Sequence, residues 1–140
     1  MKHLLLVLVL ISGILLASCK KLIQNAEEKA VISDVTNGLW YVSGYEQNDS
    51  NITAAFSGYV FQFNTNNTVT GILNTTDSVQ GEWAVNVSAR TITSDFPGAA
   101  YPLNQLNETW YVTDSYTDSV SATSSDTVNH TSNILQLKKQ

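Results

Sequence analysis

Cysteine occurs once in the 140 residues, at Cys19, so the chain can form no internal disulfide. Histidine occurs twice, and once His3 is set aside with the opening apolar segment only His130 remains. A zinc centre needs three or four His, Cys or carboxylate ligands. A Ser-His-Asp or Cys-His arrangement needs a base held by a rigid neighbour. His130 sits in a polar stretch, 124–132, which reads as a solvated loop. No glycine-rich phosphate loop follows any strand. The expectation is therefore no catalytic residue, no metal and no cofactor. Positive charge is also scarce, with 7 basic against 12 acidic residues and a net charge of −5. Between Ala30 and Leu137, Arg90 is the only lysine or arginine. Phosphate contacts rest on clustered Lys and Arg, so nucleic-acid binding is excluded. The acidic balance serves solubility and spacing from an anionic membrane. Both prolines, Pro97 and Pro102, fall in one irregular stretch, and there is no solenoid repeat or heptad.

Long apolar runs are equally few. The one that occurs, Leu4 to Leu16, is shorter than the roughly 20 residues a membrane-crossing helix needs. Preceded by Met1-Lys2-His3 and followed by Ala17-Ser18-Cys19, it reads as a secretory signal over residues 1–18. Leu16-Ala17-Ser18-Cys19 resembles the lipobox of bacterial lipoproteins. That resemblance implies a lipidated Cys19 and a membrane anchor in the cell envelope, with the outer membrane as the usual destination. Each buried methylene is worth about 0.8 kcal/mol, so two or three acyl chains would hold the domain firmly. Lys20 and Lys21 would add about 1 kcal/mol each against anionic headgroups.

Residues 19–36 read as a lipidated N-terminus and tether. Leu22, Ile23, Ala26 and Ala30 stand at helical spacing beside Glu27, Glu28 and Lys29, which fits a short helix; a mobile leash fits the membrane-proximal half equally well. From Gly38 the period becomes two. Thr, Ser and Asn are abundant, and with Tyr, Trp, Phe and Val they are the residues of twisted sheets and their turns. Strands are predicted at 39–46, 57–64, 68–73, 79–85, 90–96, 109–115, 116–123 and 133–139. The run 97–107 is the one long connection, in which Leu103 and Leu106 make a helical turn over one end of the sheet. Eight strands with short connections argue for an all-β antiparallel meander over residues 37–140, closed into an up-and-down barrel. A two-sheet sandwich is the rival; closure is favoured because it removes exposed edges.

The inward face by alternation carries Trp40, Tyr59, Phe61, Phe63, Trp83 and Trp110, with Val42, Val69, Leu73, Val79, Val85, Ile92, Val112, Val120, Leu135 and Leu137 between them. A dry void costs about 24 cal/mol per Å³, so 300 Å³ costs about 7 kcal/mol. Small domains have only about 5–15 kcal/mol in total. The interior is thus expected to be mostly filled, leaving at most a shallow cup at one end, apolar below and polar at the rim. The six aromatics are the candidate ligand-binding residues. Among the acids, Glu46 and Glu82 are expected on the outer face and Asp77, Asp118 and Asp126 at turns. Asp114 shares parity with Trp110 and Val112 and so points inward or into the mouth. Asp77-Ser78-Val79, Asp118-Ser119-Val120 and Asp126-Thr127-Val128 resemble Bacteroidetes O-glycosylation motifs, and are also ordinary turn chemistry.

Gly38-Leu39-Trp40, following a short helical lead, resembles the Gly-x-Trp signature of lipocalins. The wider layout is similar to small lipocalin-like lipoproteins of Bacteroidetes-type bacteria. It comprises the lipobox, an aromatic second strand running into an Asn-rich turn, Gly81-Glu82-Trp83, Leu106 to Trp110, and the final Leu135-x-Leu137-Lys138. The resemblance implies that the glycine turns the chain into the barrel and that the tryptophan packs across its closed end. Two features depart from the main family: no arginine lies in the last strand to stack on Trp40, and no Thr-Asp-Tyr follows a central strand. The expected role is a non-enzymatic, membrane-anchored protein that binds a small hydrophobic ligand. The alternative is a structural or protein-interaction lipoprotein with a filled barrel.

Overall fold

The alternation that begins at Trp40 is realised as a closed antiparallel sheet in a computed structural model of the chain, which describes residues 20–140. The predicted signal segment and Cys19 lie outside the described residues. A helix over residues 20–36, α1, leads into the sheet. The strands are β1 (Trp40–Gln47), β2 (Ser50–Asn51), β3 (Tyr59–Phe63), β4 (Thr68–Leu73), β5 (Asp77–Asn86), β6 (Thr91–Asp95), β7 (Glu108–Ser115), β8 (Ser119–Asp126) and β9 (Thr131–Lys139). From β3 to β9 each strand pairs with its sequence neighbour, and β1 pairs with both β3 and β9. The result is an eight-stranded up-and-down barrel; β2 is a two-residue lip folded back on β1. Closure leaves the eight barrel strands without a free edge.

Turn residues explain why the strands stop where they do. Asn67, Asn74 and Thr75 adopt positive φ, as tight hairpins require, and Asn66 Oδ1 accepts from both the amide and the hydroxyl of Thr68. The stretch 124–132, expected to be a loop, is mostly strand. Ser124 and Asn133 are buried partners across β8 and β9, with Asn133 Nδ2 donating to Ser124 Oγ at 3.1 Å. A tight Asx turn made by Asp126 replaces the loop, leaving His130 exposed at positive φ.

Two bulges break the alternation. In β1 the register against β9 shifts between Val42 and Gly44, so that Tyr45 faces inward and Glu46 outward. In β7 a shift between Val112 and Asp114 turns Asp114 out to solvent, where its Oδ1 accepts from the Ser115 amide. Of the two positions expected for Asp114, inward or in the solvated mouth, the bulge excludes the inward one and leaves the carboxylate in solvent. Val79, also expected inside, is 37 % exposed because the first half of β5 runs beyond the packed core.

The barrel's two ends differ. At the end away from α1, short 3₁₀ turns at Thr53–Phe56 and Leu103–Leu106 fold across the opening and bury Phe56, Leu103 and Leu106. Tyr45 is the pivot there: its ring stacks on Phe56 and meets the edge of Trp110, and its hydroxyl donates to the Gln105 carbonyl at 2.7 Å. At the α1 end, Trp40 is the fixed point. Its indole Nε1 donates to the Val35 carbonyl at 2.8 Å, and Lys139 Nζ lies 5.1 Å from its ring centroid. No arginine stands in the last strand, as the sequence shows, and Lys139 places its ammonium group over the Trp40 ring instead. Gly38 makes the turn out of α1 at φ +105.

Candidate functional site

The filled part of the barrel is aromatic. Phe61 and Phe96 pack edge to face, as do Phe63 and Trp83, and the indole of Trp83 is tied to the Asn64 carbonyl. Phe61, Phe63, Trp83 and Trp110 are all buried core, and Tyr59 is half-buried with its ring stacked on Phe61. Of the six aromatics expected to contact a ligand, Trp40 lines an apolar cavity at the α1 end, and Trp83 borders a smaller hollow, lined mostly by polar residues, between Asn66 and Asp95.

The apolar cavity is a cup of about 580 Å³ at the α1 end, within the range of small-molecule sites. Trp40, Val85, Ile92, Val112 and Val120 form its floor and wall, all inward positions of β1, β5, β6, β7 and β8. The last two turns of α1 contribute Val31, Asp34 and Val35. Asn86, Arg90, Ser115, Tyr116 and Thr117, from the β5–β6 and β7–β8 hairpins, make the polar side of the mouth. The cup's apolar base and polar rim are those expected from the sequence; the end of the barrel at which it opens is not. The resemblance placed Trp40 across the closed end, whereas the two 3₁₀ turns close the opposite one.

The rim is fixed by backbone bonds. Asn86 Oδ1 accepts from the Ala89 amide at 3.0 Å, and the Arg90 amide donates to the Val87 carbonyl at 3.1 Å. The Arg90 carbonyl then accepts from the amide of Val112, a wall residue, at 2.9 Å. Arg90 is thereby held at φ 56 at the edge of the cup. On the other side, the Trp40–Val35 bond and a bond from Gln62 Nε2 to the Thr36 carbonyl at 3.3 Å pin the end of α1. Neither Arg90 nor the helix residues were picked out as site residues. Arg90's isolation as the one lysine or arginine between Ala30 and Leu137 was the signal that pointed to it.

Carboxylates gather at the opposite end. Glu108 is pushed up from its ordinary value, first by burial and then by the charge of Asp126. Asp126 is held down by hydrogen bonds from Asn129 and from the Val128 and Asn129 amides. The raised Glu108 favours its protonated form in the fold, so its contribution to stability is present below its unfolded value and lost as pH rises through the folded one. Asp126 acts oppositely. Glu108→Gln is expected to stabilise the protein at neutral pH relative to the unsubstituted chain, with the advantage vanishing near pH 4.5 and below. Urea unfolding across that range reads it; an equal effect at every pH would show that ionisation of Glu108 is not responsible.

No family model matches the sequence, and no curated protein matches it. Among solved structures, a DUF4847 family protein from Bacteroides vulgatus is similar in fold. Its TM-score is 0.55 at 16 % identity, over 79 % of this chain and 99 % of that one. The fold defined here is thus shared with a Bacteroides barrel. Among the described residues no helix is long and apolar enough to cross a membrane.

Proposed function

We propose that this chain is a non-enzymatic, lipocalin-like binding protein of the cell envelope, tethered by an acylated Cys19, that holds a small hydrophobic ligand. The cup carries this reading: an opening of about 580 Å³ with an apolar base, kept in a barrel otherwise filled with aromatic rings. Apolar surface left open to water forgoes about 25 cal/mol per Å² of burial, which a ligand recovers. The lipobox supports the anchor, and the shared Bacteroides fold supports the barrel.

Trp40 is the one tryptophan in the cup, which makes it the reporter. Titration with a panel of lipids and uncharged long-chain alcohols is expected to shift or quench its emission. Val112→Trp, which fills the cup from one wall, is expected to weaken binding at least about tenfold while the barrel persists by circular dichroism. Absence of any response across the panel, together with a stoichiometric protein partner on native purification, would replace this reading with the filled-barrel interaction role.

A further inference from the structure

We propose that the cup selects a single-chain amphiphile with one negative charge, an alkyl carboxylate, and that Arg90 is the residue that reads its headgroup. This rests on the cup being a binding site, and goes further by assigning the ligand's polar end. Arg90 is the only cation lining the cup, in a domain whose other charges from Ala30 to Leu137 are all acidic. Its backbone is locked to Val87 and Val112, so the side chain stands at the boundary between the wall and solvent. Among the described residues its guanidinium is in no ion pair within 4.0 Å.

A charge is costly to bury without a partner, so an amphiphile enters tail first and leaves its head at the rim. There a guanidinium offers a carboxylate two parallel N–H donors. Ser115 and Tyr116 also line the polar side of the mouth, where their hydroxyls can donate to the carboxylate's remaining lone pairs. Asp34, exposed on the last turn of α1, also borders the cup and penalises additional negative charge. A phosphate monoester carries about −1.5 to −2 at neutral pH, so it meets one cation with an excess that Asp34 repels. One tail and one charge satisfy both residues.

The test compares dodecanoate, dodecanol and dodecyl phosphate on the purified full chain at about pH 8, where the carboxylate is ionised. Trp40 emission and calorimetry are the readouts. Dodecanoate is expected to bind about tenfold tighter than dodecanol, as a charge-assisted contact at a wet rim allows. Dodecyl phosphate is expected to bind no better than dodecanoate. Arg90→Gln should bring the carboxylate-to-alcohol ratio close to one, and Asp34→Asn should raise dodecanoate affinity. Both residues are exposed, so neither change threatens the fold. Equal affinity for acid and alcohol, or a ratio indifferent to Arg90→Gln, overturns the headgroup assignment and leaves the cup reading intact. Binding of neither dodecanoate nor dodecanol overturns both.

Discussion

Trp40→Ala is expected to lower the free energy of unfolding by about 3–5 kcal/mol, the usual cost of truncating a buried large aromatic. Three things are lost together at this position. The indole is 2 % exposed, so its burial goes and a void opens beneath the cup. The Nε1 bond to the Val35 carbonyl goes, and with it the tie between β1 and α1. Lys139 loses the ring beneath its ammonium group, worth about 0.5–1 kcal/mol at a partly exposed site. Trp40→Phe separates these effects. It keeps most of the packing and removes the indole donor, so amide exchange over residues 31–36 should accelerate while the barrel stays folded. Urea denaturation measures the first variant and hydrogen exchange the second. A loss under about 1.5 kcal/mol for Trp40→Ala would mean that neighbouring side chains collapse into the space.

Gly81→Ala is expected to cost at least about 1–3 kcal/mol, although it adds one methyl group. A Cβ there would stand 2.5 Å from the Asp95 carbonyl oxygen and 2.7 Å from Phe96 Cδ1. The oxygen belongs to the β5–β6 ladder, where Glu82 pairs with Asp95, and cannot swing aside as a side-chain tip would. Phe96 is 1 % exposed and packs against Phe61, so its ring has little room to retreat. Phe96→Leu combined with Gly81→Ala should therefore recover only the ring's share, with a coupling energy on the order of 0.5–3 kcal/mol in a double-mutant cycle. Strict additivity of the two changes would show that the close approach over Gly81 is not what the methyl group disturbs.

Much of the barrel was legible because the sequence holds to period two. Thr68–Leu73 and the helical turn at Leu103–Leu106 fall where patterning put them, and the other barrel strands lie within a few residues, while the two-residue β2 and the 3₁₀ turn at Thr53–Phe56 were not expected. Alternation fails where one residue is inserted. Ser43 and Thr113 sit at the two bulges, and past them Tyr45 turns in and Asp114 turns out. No residue type announces a bulge, so Tyr45, which anchors the closed end, was absent from the expected core. The same limit explains the candidate site. Parity identifies inward residues but not whether a neighbour fills the space beyond them, and Phe61, Phe63, Trp83 and Trp110 proved to fill it for one another. The helix residues that border the cup reach it through the turn at Gly38, a contact between segments that no local pattern encodes.

The entry helix and the mouth share one end of the barrel. With 17 residues at about 1.5 Å each, α1 is a rod of roughly 25 Å whose last turn is bolted beside the opening. Were the chain held by the proposed acyl anchor at Cys19, a stiff strut of this length would limit how closely the opening could approach the surface, where a slack thread would let the whole body tumble.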